Sequence, residues 1–194
     1  MSSRNQLLRR GFFLEYVTLS WNVLGVIVLT YAALSAHSVA LAGFGLDSFI
    51  EIGASLVVIW ELRNINAQRQ KVALRIIGVA FIFLAVYILL QSSIVFLTGS
   101  HPAHSQVGIA WTGLTCAVMF ALAAGKAKTG QALNNVVLST EGRVTLIDAY
   151  LAAAVLLGLA LNALFGLWWA DPLAGLVIVY YGFREGRAAL STSS

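Results

Sequence analysis

An all-α integral membrane protein, a bundle of six transmembrane helices with both termini cytoplasmic, is the fold class this sequence predicts. Three observations carry that expectation. Of 194 residues, 59% are hydrophobic and only 10% are charged, too few polar side chains to cover a soluble domain of this size. Apolar stretches of roughly bilayer-spanning length recur along the chain and leave no room for a separate soluble core. The Lys and Arg residues fall on alternate connections between those stretches, as the positive-inside rule requires.

Spans are expected at about 11–34, 38–62, 75–98, 107–124, 144–166 and 172–187, in a single transmembrane domain covering 1–194. The polar, basic residues 1–10 run into a stretch too long for the apolar core of a signal peptide, with no small-residue cleavage pattern. The first span is therefore expected to be retained. The second holds two acidic residues near its middle and a third, Glu61, at its end. Between the fourth and fifth, 125–143 reads as the longest connection on the basic side, too short to hold a core. Ahead of the sixth, Trp168, Trp169, Ala170, Asp171 and Pro172 read as an interfacial aromatic belt, a helix cap and a proline at the first helical position. The sixth is short in apolar terms and is expected to continue past Arg184, its basic side chains reaching up to the interface.

Arg4, Arg9, Arg10, Arg63, Arg69, Lys71, Arg75, Lys126, Lys128, Arg143, Arg184 and Arg187 all lie on one set of connections, and those around Ala36, His101 and Trp168 have none. This asymmetry predicts an integral protein of the cell membrane, plasma or inner, with both ends in the cytoplasm. The net charge of +4 is then explained by topology and lipid contact, and a nucleic-acid partner has no support. The single cysteine, Cys116, lies in an apolar run and excludes an intrachain disulfide.

Asp47 and Glu51 are the sharpest feature. They stand one helical turn apart at membrane depth, where a charged side chain costs at least ~2.5 kcal/mol on insertion scales. Facing the same way, they repel unless a proton or cation lies between them, so they read as half of an intramembrane cation site. Asp148 lies about a turn inside the fifth span among apolar neighbours with Thr145 nearby, and Glu141 is two turns earlier on the same face. Glu15, a turn inside the first span, reads either as an interfacial partner of Arg9 and Arg10 or as a vestibule residue with Asn22 two turns deeper. Glu61 beside Arg63 and Glu185 beside Arg184 read as solvated pairs. His37, His101 and His104 fall on the outer connections, where they could give a departing metal a low-affinity stop.

The run Ser38-Val39-Ala40-Leu41 through Asp47-Ser48-Phe49-Ile50-Glu51 resembles the second transmembrane helix of the cation diffusion facilitator family. Val137-Leu138-Ser139-Thr140-Glu141-Gly142-Arg143-Val144-Thr145-Leu146-Ile147-Asp148 is similar, without a gap, to that family's fifth helix. The resemblance implies a divalent-cation/proton antiporter, usually a homodimer, with a tetrahedral site of two residues from each of these helices. Carried over by position, Asp47, Glu51 and Asp148 would be ligands. The family's histidine falls on Val144, which cannot coordinate, leaving a water or Thr145 to complete the shell. The family's cytoplasmic metal-binding domain, which commonly follows the sixth helix, has no counterpart after Arg187.

Three carboxylates without imidazole make an oxygen site that suits manganese, ferrous iron or magnesium comparatively better, although the general affinity order still favours zinc over manganese. The expected substrate is therefore a divalent transition metal, zinc first and manganese or iron next, with no cofactor. An empty site would hold protons and a filled one release them, which couples efflux of the metal to proton entry once access alternates. A non-transporting metal-binding subunit or sensor of the same fold is the alternative. An intramembrane enzyme is not expected, since no Ser/His, Cys/His or His-x-x-x-His constellation lies at membrane depth.

Overall fold

The computed structural model describes residues 3–99 and 103–192, and among them the chain is all-α. Six helices follow one another: α1 (Ser3–Ala36), α2 (Val39–Leu62), α3 (Ala67–Thr98), α4 (Gln106–Leu133), α5 (Val136–Phe165) and α6 (Ala170–Thr192). The first five are long and apolar enough to cross a membrane. In α6, Arg184, Glu185 and Arg187 shorten the apolar stretch.

The helices run well past the apolar stretches. α1 begins at Ser3, α3 at Ala67, and α4 and α5 leave only Asn134 and Asn135 between them. The segment 125–143 is thus not a loop, which corrects the expectation above. A helix stops where a residue supplies a stop signal, not where hydrocarbon ends. Here Asn134 takes the left-handed conformation (φ 51°) that terminates α4. Asn135 then caps α5, its side chain accepting from the backbone N–H of Leu138 at 2.7 Å.

Small residues decide which helices approach closely. A Cβ on Gly142 would lie 2.7 Å from the backbone nitrogen of Ala127, and one on Gly130 2.6 Å from that of Ser139, so α4 and α5 meet backbone to backbone. Gly78 of α3 and Gly186 of α6 are in the same relation, each Cβ falling 2.9 Å from the other's carbonyl oxygen. Such approaches gain dispersion that lipid cannot offer, which is how membrane helices associate. Gly175 lies against Ser92, so α6 runs antiparallel along α3 through the same layer of the bundle. Phe44, Leu41, Leu151 and Ile178 fill the centre, while Phe83, Leu97, Leu164 and Phe165 point outward, as side chains solvated by lipid would.

α2 is held at both ends by buried carboxylates. Asp171, expected to cap its own helix, instead accepts from the Ser38 hydroxyl and from the backbone N–H of Ala40 (3.1 Å), and so caps α2. At the other end Glu61 is buried and accepts from the Asn135 amide at 2.9 and 3.1 Å. It is not a solvated partner of Arg63. Glu185 stands 3.8 Å from the exposed Arg184, a contact of little energetic weight.

Gly142→Ala should lower stability in detergent by about 1–3 kcal/mol, because the new methyl meets backbone that cannot retreat. Gly53→Ala, with nothing within 4 Å of its Cβ, should leave the melting temperature unchanged. Orientation can be read from exposed positions at opposite ends: in a Cys116→Ser background, His104→Cys should be labelled by an impermeant thiol reagent from outside and Gln131→Cys only from the cytoplasm. Labelling of both from one face would refute the bundle's topology.

Candidate metal centre

Every acidic residue expected at membrane depth is buried in one central cluster. α1 supplies Glu15 and Asn22, α2 supplies Asp47 and Glu51, and α5 supplies Glu141, Thr145 and Asp148. Helical spacing puts each set on one face, and the α4–α5 approach at Gly142 closes the ring.

Across the α2–α5 interface the carboxyls of Asp47 and Asp148 face each other. Neither oxygen of Asp47 has a hydrogen-bond donor, nor does Oδ2 of Asp148. Two acceptors opposed in this way need a shared proton or a cation between them. Glu51, one turn along α2, accepts from the Asn22 amide through Oε2 at 2.8 Å, and its Oε1 lacks a donor. Asn22 also donates to the Thr18 carbonyl at 3.1 Å, which fixes the amide's direction. Among the described residues no three His, Cys, Asp or Glu side chains are gathered closely enough to hold a metal ion. Asp47 and Asp148 are brought together, while Glu51 shares their buried layer without being drawn in. Mutual repulsion opposes closer approach when no positive charge separates the carboxylates.

A residue that the sequence reading placed at the interface, Lys126, is at the heart of the cluster. It is fully buried, and its Nζ lies 3.3 Å from Glu15 Oε2, 3.3 Å from Glu141 Oε1 and 3.2 Å from Thr145 Oγ1. Glu15 therefore pairs with Lys126, and Thr145 accepts from the ammonium. Among the described residues the other Lys and Arg side chains are exposed or half-buried. A signal for this was present: Lys126 shares with Met119, Leu122, Ala123 and Thr129 the face of α4 that is buried. It is visible only once α4 is known to continue past residue 124.

Val144 is buried in the main apolar core, one turn before Asp148. His37, in the left-handed conformation (φ 50°), and His104 are exposed at the α1–α2 and α3–α4 connections. Ala103 donates to the Ala36 carbonyl at 2.7 Å, tying those connections together. His101 lies outside the described residues.

A family model for the cation efflux transmembrane domain matches residues 16–194. The chain belongs to the cation efflux family. Among similar proteins, Transmembrane protein 163 of Xenopus laevis is 24% identical over 191 residues, covering 91% of this chain and 66% of the relative. The chain thus spans slightly less than two thirds of that relative's length. Membership in the cation efflux family points to cation transport across a membrane, in a family of transporters and not of enzymes.

Proposed function

We propose that the chain exports a divalent transition metal, zinc first and manganese or iron next, in exchange for protons by alternating access. The ion binds between Asp47 and Asp148, with Glu51 as third ligand. The opposed carboxyls of Asp47 and Asp148, three of whose oxygens are buried without a donor, carry this reading. They are held on two helices whose positions are set by buried caps, at a depth where unpaired oxygens are otherwise hard to retain. A divalent ion would satisfy both carboxyls at once and release whatever protons they hold. Glu51 would then exchange the Asn22 amide for the metal. In this reading both termini are cytoplasmic, the protein is of the plasma or inner membrane, and it acts as a homodimer.

Asp47→Asn and Asp148→Asn keep side-chain size and remove charge. In proteoliposomes each should reduce metal flux and its coupled proton movement at least tenfold, with Glu15→Gln milder. Parent-like flux in Asp47→Asn would sink the site assignment. Metal binding with no flux in the parent would instead identify the second reading, a non-transporting metal-binding subunit or sensor.

Val144→His tests the oxygen-only chemistry. On the same face as Asp148, it would add a nitrogen donor that zinc prefers more than manganese does. Competition binding should show a rise in the zinc-over-manganese preference, on the order of tenfold for one added good ligand (~1.4 kcal/mol). An unchanged preference would mean that position 144 does not face the ion.

A further inference from the structure

We propose that Lys126 is a tethered cation filling a second carboxylate site, formed by Glu15, Glu141, Thr145 and Ser55, and that its presence limits the cluster to one exchangeable divalent ion. The inference rests on the Asp47–Asp148 reading and adds to it a residue that sets how many ions the cluster takes.

The ammonium is held as a bound ion would be held. It hydrogen-bonds Glu141 Oε1 at 3.3 Å and Thr145 Oγ1 at 3.2 Å, and pairs in charge with Glu15 Oε2 at 3.3 Å. These groups come from α1 and α5 and meet a side chain of α4, so the site is built by the fold and not by one helix. More acceptors surround the ammonium than it can use. Both carboxylate oxygens of Glu15, Oε2 of Glu141 and Oγ of Ser55 are buried without a hydrogen-bond partner, and Ser55 lies beside Glu15. With Lys126 removed, two carboxylates and two hydroxyls would remain, an all-oxygen set suited to a divalent cation such as manganese.

Charge gives the same result. Glu15, Asp47, Glu51, Glu141 and Asp148 are all buried, and among the described residues Lys126 is the one buried cation facing them. Glu141 and Thr145 precede Asp148 by seven and three residues, about two turns and one turn along α5 toward the Asn134 end. The ammonium site is therefore stacked against the Asp47–Asp148 pair on the side of the α4–α5 turn. A covalently attached charge there neutralises part of the cluster permanently, and only the remainder is open to exchange with metal and protons.

The test is equilibrium binding of Mn²⁺ to the purified full chain at pH 8, by calorimetry and by thermal unfolding. The parent and Lys126→Arg should bind one ion per chain and Lys126→Gln one more than the parent. Lys126→Gln/Glu141→Gln should return to the parent's number. If Lys126→Gln is unstable without metal, Mn²⁺ should restore its folding and raise its melting temperature by more than it raises the parent's. A folded Lys126→Gln that binds no more metal than the parent would overturn the proposal, as would one that no concentration of Mn²⁺ stabilises. Asp47→Asn in both backgrounds keeps the two readings apart: it should remove one ion from each. Loss of the difference between Lys126→Gln and parent condemns the second site alone, whereas an Asp47→Asn that removes no ion condemns the first.

Discussion

A lysine ammonium buried between two glutamates is the constraint on which the centre of this molecule depends. Taking one charge out of water is costly, and it is tolerated only when partners with good geometry replace the lost hydration. Lys126 meets that condition with Glu15, Glu141 and Thr145, and in doing so it fixes the relative positions of α1, α4 and α5. None of the three helices could rotate appreciably without stranding a charge in the interior. The close passage of α4 past α5 at Gly130 and Gly142 is what brings Lys126 and Glu141 within reach. Stacking of Trp21 on Trp111, with centroids 5.0 Å apart, and the bond from the Trp21 indole to Thr115 (3.1 Å) hold α1 against α4 beside it.

α2 is placed by a different device. Its two ends are tied by Asp171 and by Glu61 with Asn135, each a carboxylate whose acceptors are used by donors of a neighbouring element. The ties set the height of Asp47 and Glu51 relative to Asp148 without involving any of them. Carboxylates at the ends of the helix have their partners, and those in the middle do not. The contrast is chemical: a fully bonded carboxylate is structural, whereas one left with free acceptors in a dry interior retains a capacity for cations. Glu51 is intermediate, with one oxygen bonded to Asn22 and one free.

Membership in the cation efflux family points to cation transport, and under the proposed reading the protein must bind its ion without holding it permanently. The proposed site, two opposed carboxyls with a third nearby, would serve that need better than a fully gathered one. Repulsion keeps the carboxylates from collapsing together, protons can take the ion's place, and moving one side chain completes or breaks the shell. The paired helices α3 and α6, which pack through glycine against each other, contribute no acidic residue to the cluster.

Much was legible in the sequence because membrane depth makes polarity informative. A chain that is 59% hydrophobic, with apolar runs of bilayer-spanning length, reads as a helical bundle in lipid, where each helix satisfies its own backbone. Acidic residues at that depth stand out without a structure, and so Asp47, Glu51 and Asp148 could be named from spacing and composition. Helix ends were less legible, because the chain leaves hydrocarbon before the helix stops: Asn134 and Asn135, not the loss of hydrophobicity, end α4 and begin α5. Partner choice was not legible at all. Asp171 beside Pro172 looks like a local cap, and Glu61 beside Arg63 like a local pair, yet each bonds to a residue more than seventy positions away. Lys126 is the clearest instance. In sequence it is one of twelve basic residues and looks interfacial like its neighbour Lys128. Only the packing of α4 against α1 and α5 shows that its ammonium has exchanged water for carboxylates. Sequence patterns report which solvent a segment meets, and tertiary structure decides which buried charge meets which, because that depends on distances between helices that no local spacing encodes.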